Sequence, residues 1–366
     1  MRSVGVEEEL LLVDPRSGEP RALSEEVLAI AARHHRGRAH AYTKELHGQQ
    51  LEFGTEPRTA MAEVAAEIER CRAGAARLAA EAGAAVVALA TSPLPVGPAV
   101  TEGRRYRWIQ EHYGLTALEQ LTCGCHVHVS IASDEEGVAV LDRIRPWLSV
   151  LVALSANSPF WHGKDTDYHS YRSRVWGRWP SVGPVELFGS AERYHERARE
   201  LLATGVLQDE GMLYFDARLS RHYPTVEIRA ADVCLDASTT VLVAMLARAL
   251  VDTAARHWQE GRPPASHGIG LLRAAAWRAA RSGLDGDLVH PGTMRPAPAG
   301  QVVQALFQHV EEALDGNGDH ARARKALDDL ISGGTGARVQ RRLLRRYGTL
   351  GAVVAECARR TQEGVR

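Results

Sequence analysis

The pattern of hydrophobic and polar positions divides the chain into a mixed first part and a helical last part. Apolar runs over residues 4–13 and 84–90 predict strands. Between them, an Ala-rich amphipathic pattern from Thr59 to about Gly83 predicts a long helix. From about Asp236 to the C-terminus the pattern is almost wholly helical. Strands are therefore expected before this point and helices after it.

Polar side chains two positions apart recur within the strand-like runs. In an extended strand such side chains share a face, so Glu7 and Glu9 point one way and Glu8 points the other. Further examples of this spacing are Gln50 with Glu52, His126 with His128, Asp216 with Arg218, and Glu227 with Arg229. An antiparallel sheet with helices on one face and these side chains on the other accounts for the whole set. The pattern predicts an active site with a polar floor.

Glu7 and Glu9 on one face of a strand favour a bound cation. Two like charges buried without a partner cost several kcal/mol, and a divalent metal removes that cost. The plainer alternative is an acidic strand end that faces solvent. The histidines could likewise be exposed strand residues, and Glu227 with Arg229 a surface ion pair worth under about 1 kcal/mol.

The run Cys-Gly-Cys-His-Val-His at residues 123–128 raises the question of zinc. Structural zinc sites usually leave two residues between cysteines on a knuckle, whereas alternating strand residues diverge. Carboxylates with one imidazole fit magnesium or manganese better, because hard oxygen ligands suit those ions. We therefore expect Mg²⁺ or Mn²⁺ in preference to zinc.

Composition and charge argue against several kinds of partner. The chain has 366 residues, 45% of them hydrophobic, and a formal net charge of -1, so electrostatics gives no reason to expect nucleic acid or an anionic membrane. Five cysteines without framework spacing favour a reducing compartment. The most apolar helical run, residues 241–251, is short and contains Arg248, so no membrane span is expected. With a strand at the very start in place of a signal peptide, the sequence predicts a cytoplasmic protein.

Residues 158–174 form a segment without a steady period that is dense in aromatic and charged side chains. Such a composition is unusual for a solvent-exposed linker. We interpret this aromatic segment as one that closes over substrate, with a surface interaction loop as the alternative. The helices after Asp236 are expected to pack against the outer face of the sheet and to take no part in chemistry.

In order and spacing, the polar motifs resemble those of the carboxylate-amine ligases of the glutamate-cysteine ligase type 2 family, distant relatives of glutamine synthetase in fold. The resemblance covers roughly residues 1–330. The motifs that carry it are Gly5-Val6-Glu7-Glu8-Glu9, Gln50-Leu51-Glu52, Gly124-Cys125-His126-Val127-His128, Asp165-Thr166-Asp167-Tyr168, Asp216-Ala217-Arg218 and Tyr223-Pro224-Thr225-Val226-Glu227-Ile228-Arg229. It implies an α+β fold whose curved antiparallel sheet of about six strands forms an active-site funnel, with helices packed behind it. The chain would be one glutamine synthetase-like catalytic domain, residues 1–366, with a mainly helical part over residues 236–366.

The resemblance also implies roles for individual residues. The implied metal ligands are Glu7, Glu9, Glu45, Glu52, His126 and Glu227. The implied catalytic residues, near the phosphates or the acyl substrate, are Arg218 and Arg229. The implied substrate or ATP contacts are Arg172, Lys164, His128 and Asp216. Glu45 is matched by counting seven residues back from Glu52, and Lys164 stands where an arginine is expected.

The function implied by the resemblance is an ATP-dependent ligase that forms an amide bond through an acyl-phosphate intermediate. ATP and Mg²⁺ (or Mn²⁺) would be its cofactors, and glutamate or a related amino acid would be joined to cysteine or another amine. The sequence lacks a Walker-type phosphate loop, and only three of its 44 basic residues are lysines, which favours phosphate handling by metal and arginine.

Two other functions stay open on the sequence alone. The same carboxylates could serve a metal-dependent amide or phosphoester hydrolase, which activates water without nucleotide, or the chain could be a catalytically inactive binding protein on the same fold. The partners expected for the ligase are small-molecule amino acid and amine substrates, with a homodimer as the expected assembly.

Overall fold

The computed structural model of the protein describes residues 1–34 and 41–363. Its strands, in chain order, are β1 (Val4–Val13), β2 (Tyr42–Lys44), β3 (Gln50–Gly54), β4 (Ala85–Val87), β5 (Gly124–Ser130), β6 (Phe160–Trp161), β7 (Lys164–Asp165), β8 (Ala217–Leu219), β9 (Thr225–Asp232), β10 (Asp287–Val289) and β11 (Pro296–Pro298). Its helices are α1 (Ser24–His34), α2 (Met61–Glu81), α3 (Arg104–Tyr113), α4 (Leu115–Leu118), α5 (Asp134–Ile144), α6 (Leu148–Ser155), α7 (Arg172–Trp176), α8 (Ala191–Ala203), α9 (Ala237–Gln259), α10 (Ile269–Ser282), α11 (Ala299–Gly316), α12 (His320–Gly333), α13 (Gly336–Tyr347) and α14 (Leu350–Thr361). Short 3-10 helices occur at Arg145–Trp147 and Glu210–Met212.

Seven strands form the central sheet, and every pairing within it is antiparallel. The strand order is β2-β3-β1-β5-β9-β8, and β4 pairs with the C-terminal end of β1 beyond the reach of β5. This confirms the α+β fold with a mainly antiparallel sheet, with β4 in addition to the expected six strands. The funnel shape of the sheet stays a prediction.

Alternation along β1 separates the two faces of the sheet. Val4, Val6, Glu8 and Leu10 are fully buried, whereas the residues between them are partly exposed. The buried face packs against α2 and α9, which lie behind the sheet and share its hydrophobic core. The partly exposed face carries the polar side chains Glu7 and Glu9. We call the buried face the back face of the sheet and the partly exposed face its front face.

Glu8 is the one carboxylate of its strand that points into the back-face core. Its two carboxylate oxygens accept hydrogen bonds from Arg72 Nε and Nη2 at 2.8 and 2.7 Å, and Thr240 Oγ1 donates a third at 2.6 Å. Arg72 also donates to the carbonyl oxygens of Leu235 and Cys234. Both charges are buried and fully paired, so the core tolerates them.

The part of the chain after Asp236 is mainly helical, as predicted, apart from the β10–β11 hairpin in its Gly- and Pro-rich stretch. Among the described residues, α9 is the helix long and apolar enough to cross a membrane, but 83% of its most apolar window is buried inside the protein. Burial on all sides is typical of a core helix. In the same part of the chain, α14 packs on β4. The Ala88 amide donates a hydrogen bond to the Thr361 hydroxyl of this helix, so β4 ends at Val87, short of the predicted residue 90.

Candidate active site

A row of polar side chains crosses the front face from one edge of the sheet to the other. Antiparallel register sets these residues opposite one another: Thr43 with Glu52, Glu52 with Glu9, Glu7 with His126, His128 with Glu227, and Glu227 with Arg218. Because directly opposed side chains in a sheet lie about 5 Å apart, the row is continuous over six strands. The spacing of two residues in each strand, read from the sequence, produces this row.

Three groups of side chains along the row have the spacing of metal ligands. They are Glu7 with His128 and Glu227, Glu7 with Glu52 and His126, and Glu9 with Glu45 and Glu52, and in each group the ligand atoms lie within 4.8 Å of one another. Magnesium holds oxygen at about 2.1 Å, so ligands on opposite sides of an ion lie about 4.2 Å apart. The Nε2 atom of His128 is buried and lies 3.2 Å from Glu7 Oε1. The donor set and the spacing fit a hard divalent ion such as Mg²⁺ or Mn²⁺.

The carboxylates near β3 repel one another. Burial raises the pKa of Glu9 to about 7, and the charge of Glu45 adds to this rise. Burial also raises the pKa of Glu45 and carries that of Glu52 well above its usual range, where Glu45, Glu7 and Glu9 oppose its ionisation. Their fixed partners are weak donors: the Gly124 amide donates to Glu9 at 2.7 Å and the Thr43 hydroxyl to Glu52 at 2.9 Å. A divalent cation among them would remove the repulsion.

Glu7 occupies the centre of the row between two imidazoles. Its oxygens lie 3.3 Å from His126 Nδ1 and 3.2 Å from His128 Nε2. Burial acts to raise the pKa of Glu7, but hydrogen bonds and charge from the two histidines outweigh it and lower the pKa. Burial and the charge of Arg229 lower the pKa of His126 to about 4, which keeps that imidazole neutral and able to bind a metal.

Glu227 lies at the other end of the row between two arginines. Arg218 donates to both of its oxygens, at 2.7 and 3.2 Å, and Arg229 donates to Oε1. Burial acts to raise the pKa of Glu227, but Arg229 and then Arg218 outweigh it and lower the pKa. Each carboxylate oxygen has about two acceptor positions, so Oε2 keeps one for a metal.

The two arginines differ in what they have left to offer a ligand. Arg218 also donates through Nη1 to the carbonyl oxygens of Gly211 and Leu213, so its guanidinium is engaged on every nitrogen. Arg229 contacts Glu227 through Nη1 only, and its buried Nε has no partner among the described residues. Arg229 is therefore the better placed of the two to bind an anion.

A cavity of about 530 Å³ lies above the row. It is lined by every implied metal ligand, by Arg218, Arg229, Arg172 and His128, and by residues that the motifs did not indicate. Those further residues are Leu46, Arg105, Tyr106, Ile109, Gln120, Thr122, Trp176, Trp179, Asp209, Gly211, Tyr214, Ser220, Arg221 and His222. Most come from α3, α7 and the segments around β8, and the others from the segments that precede β3 and β5. Single side chains reach the cavity there without any periodic signal in the sequence.

Two implied substrate contacts do not reach this cavity. Lys164 is exposed on the β6–β7 hairpin and is not among the lining residues. Asp216 lines a separate cavity of about 290 Å³, across from Arg273. Asp216 immediately precedes β8, and it lines a different cavity from Arg218.

The cysteines of the 123–128 run take no part in the ligand groups. Cys123 and Cys125 are buried, and neither belongs to a group with metal-ligand spacing. Burial raises the pKa of each thiol well above its usual range, so both stay protonated. Protonated thiols are poor metal ligands.

Comparison with known proteins shows the family and the fold of this chain. A family model described as glutamate-cysteine ligase family 2 matches residues 3–362. The chain is 62% identical to a protein of Streptomyces avermitilis named "Putative glutamate--cysteine ligase 2-1", over 99% of this chain and 100% of that one. It is also 62% identical to a "Putative glutamate--cysteine ligase 2" of Streptomyces coelicolor, over 99% of each chain.

Among solved structures, a glutamate-cysteine ligase of Francisella tularensis in complex with AMP has a TM-score of 0.72 at 12% identity. The match covers 99% of this chain and 88% of that one, and it shows a shared fold. Fold and relatives together define an enzyme of the ligase class. The chain belongs to glutamate-cysteine ligase family 2.

Proposed function

We propose that this protein is an ATP-dependent carboxylate-amine ligase that joins glutamate or a related amino acid to cysteine or another amine. The observation that carries the proposal is the set of five glutamates and two histidines on the front face, which forms three groups of metal-ligand spacing beside free arginine donors. Relatives named as glutamate-cysteine ligases and a neighbour in complex with AMP support it.

The chemistry requires an activated carboxylate. A carboxylate does not condense with an amine in water, so its oxygen first attacks the γ-phosphorus of ATP, with ADP as the leaving group and an acyl phosphate as the product. The amine nitrogen then attacks the acyl carbon, phosphate leaves with the attacking oxygen, and the nitrogen loses a proton. The product is an amide.

The three ligand groups would hold Mg²⁺ or Mn²⁺. Bound there, a divalent ion supplies charge neutralisation for the β- and γ-phosphates during transfer. Glu7 and Glu52 each belong to two groups, so each would contribute to two of the metal positions. Glu9 and Glu45 complete the end of the row near β3.

Arginines would bind the transferred phosphoryl group or the substrate carboxylate. Arg229 has an unpartnered Nε, and Arg172 presents a guanidinium whose one side-chain hydrogen bond is a long contact of 3.5 Å to the Arg229 carbonyl oxygen. Guanidinium groups bind phosphate and carboxylate through parallel hydrogen bonds. Arg218 would act by holding Glu227 in place.

The proposal is tested by measuring ADP formation with Mg²⁺ and ATP across a panel of amino acids, with hydroxylamine present to trap an acyl phosphate as hydroxamate. We expect hydroxamate with one acid or a small set of acids, and none without ATP. Glu227→Gln should abolish it, while Glu56→Gln, an exposed glutamate outside the cavity, should leave it unchanged.

The hypothesis of a metal-dependent hydrolase predicts a different result in these assays. It would release product from an amide or phosphoester with metal alone and would form no ADP with any acid. That outcome would overturn the ligase assignment. Metal binding without turnover of either kind would support the inactive binding protein.

A further inference from the structure

Asp232 is a buried carboxylate that the motifs did not indicate. It lies at the C-terminal end of β9, opposite Gly124 in β5, and its side chain is fully buried. Its oxygens accept hydrogen bonds from the Asn157 amide at 2.9 Å, the Ser158 hydroxyl at 2.7 Å and the Ser170 hydroxyl at 2.8 Å. Three donors from both ends of the aromatic segment therefore converge on one carboxylate.

The same carboxylate faces Arg172. Arg172 Nη1 lies 3.9 Å from Asp232 Oδ1, and the Arg172 amide donates to the Ser158 hydroxyl that itself donates to Asp232. Burial raises the pKa of Asp232, and the largest opposing influence is the charge of Arg172. Backbone and side chain of Arg172 are thus both tied to Asp232.

Arg172 reaches from this anchor into the active-site cavity. Its side chain is buried beside Gly124, where a Cβ atom would overlap the guanidinium, so the close approach requires glycine. Its charge is felt by Glu9, one of the implied metal ligands. Its Nε is buried without a partner among the described residues. A guanidinium with uncommitted donors at this place suits an anionic group of a ligand.

C-terminal helix α13 holds the aromatic segment from outside. Gln340 donates to the backbone and side-chain oxygens of Asn157 at 2.9 and 2.7 Å, and Arg341 binds the Asp165 carboxylate through two hydrogen bonds. The start of the segment, next to the donors to Asp232, and its β6–β7 hairpin are thus attached to α13 by separate contacts.

Resting on the proposed function, we propose that Asp232 is a positioning residue that orients the Arg172 guanidinium toward the phosphoryl group or carboxylate of the substrate. Removing its charge frees the guanidinium to rotate away from the cavity. A misplacement of about 1 Å in such a group costs about 10²-fold in rate.

The test is a double-mutant cycle of Asp232→Asn and Arg172→Ala, read as kcat/KM for ATP in the hydroxamate assay. We expect each single variant to lose about 10²-fold. If Asp232 acts through Arg172, Asp232→Asn should cost nothing further in the Arg172→Ala background. Equal losses in both backgrounds would overturn the proposal and leave Asp232 a purely structural residue.

A rescue experiment distinguishes the positioning role of Asp232 from an effect on protein stability. Free guanidinium at a low, non-denaturing concentration should restore part of the activity of Arg172→Ala, because Asp232 remains to hold it. It should not rescue Arg172→Ala/Asp232→Asn. Equal rescue of both variants would contradict the proposal.

Asp165→Asn is the matched control. It makes the same chemical change in the same segment and removes the Arg341 anchor, but it does not contact Arg172. It should leave kcat/KM within about threefold of the wild type. A loss as large as that of Asp232→Asn would show that general loosening of the segment is responsible.

The design distinguishes a variant that fails to fold from a failure of the proposed function. If Asp232→Asn does not fold, Ser170→Ala replaces it in the cycle. Ser170→Ala removes one hydrogen bond to the Asp232 carboxylate and leaves its charge in place. Additive effects of Ser170→Ala and Arg172→Ala would then count against the proposal. If the wild type forms no hydroxamate with any acid, the proposed function fails, and the cycle is read on the affinity for inorganic phosphate by calorimetry.

Discussion

Glu7, Glu8 and Glu9 are consecutive in β1, yet Glu8 on the back face and Glu9 on the front face have opposite electrostatic surroundings. On the back face, Glu8 forms a buried pair with Arg72, and its oxygens accept hydrogen bonds from three donors: two guanidinium nitrogens and the Thr240 hydroxyl. On the front face, Glu9 lies beside Glu52 and Glu45, and burial together with the charge of Glu45 raises its pKa to about 7.

The comparison shows that adjacent residues of one strand can have a structural role on one face of the sheet and a proposed functional role on the other. The back face supplies its own cation, so Glu8 is satisfied when the chain folds. The front face leaves like charges together, which folding alone does not favour. An external cation would resolve that conflict, and such clusters of perturbed carboxylates are typical of functional sites.

The largest effect is expected from Glu52→Gln, because Glu52 belongs to two of the three ligand groups. Loss of one carboxylate charge should weaken both metal positions and abolish nucleotide turnover, with the fold intact by circular dichroism. Glu56→Gln is the control. Full turnover by Glu52→Gln would sink the metal assignment.

On the back face, Glu8→Gln should destabilise the protein strongly. It leaves the Arg72 charge buried without a counter-ion, and breaking a buried pair in this way costs about 3–5 kcal/mol. The unfolding free energy from urea titration measures it. A loss under about 1 kcal/mol would show that the pair is solvated.

Metal binding on the front face should stabilise the wild type. At about a hundred times its dissociation constant, Mg²⁺ contributes about 2.7 kcal/mol to the free energy of unfolding. The melting temperature with and without Mg²⁺ reports this, and Glu52→Gln should show a much smaller shift. The same shift in both proteins would place the ion elsewhere.

The smallest effect is expected from Glu9→Gln in metal-free buffer, and its sign is opposite to that of Glu8→Gln. The folded-state pKa of Glu9, about 7, exceeds its ordinary value of 4.5, so the wild type loses stability as the pH rises between these values. The variant should therefore be the more stable protein above pH 4.5, most clearly above pH 7. Calorimetric scans at pH 5 and 8 test this, and a destabilised variant at pH 8 would contradict the repulsion.

Local periodicity predicted the front face well because it depends only on strand geometry. Glu7, Glu9, Glu52, His126 and Glu227 line one cavity, as a spacing of two residues requires. The helical C-terminal part also follows from a pattern that extends over many residues.

Other features depend on contacts between distant parts of the chain. The partner of Glu8 lies 64 residues away on α2, and nothing in either local pattern links them. Between the pairs Val127–Ile228 and Cys125–Ala231, β9 has one residue more than β5, a bulge that directs side chains differently from a regular strand. Asp232 follows this bulge, so a count of two residues from Glu227 does not indicate its role.

The most direct test of the ligase chemistry follows one oxygen atom. The acid identified by the hydroxamate assay is prepared with ¹⁸O in its reacting carboxylate, and the phosphate released with ATP, Mg²⁺ and the amine is examined by mass spectrometry. Attack of the carboxylate on ATP predicts one ¹⁸O atom in each phosphate formed with amide. Phosphate without ¹⁸O would contradict the acyl-phosphate route and the assignment of the front face that rests on it.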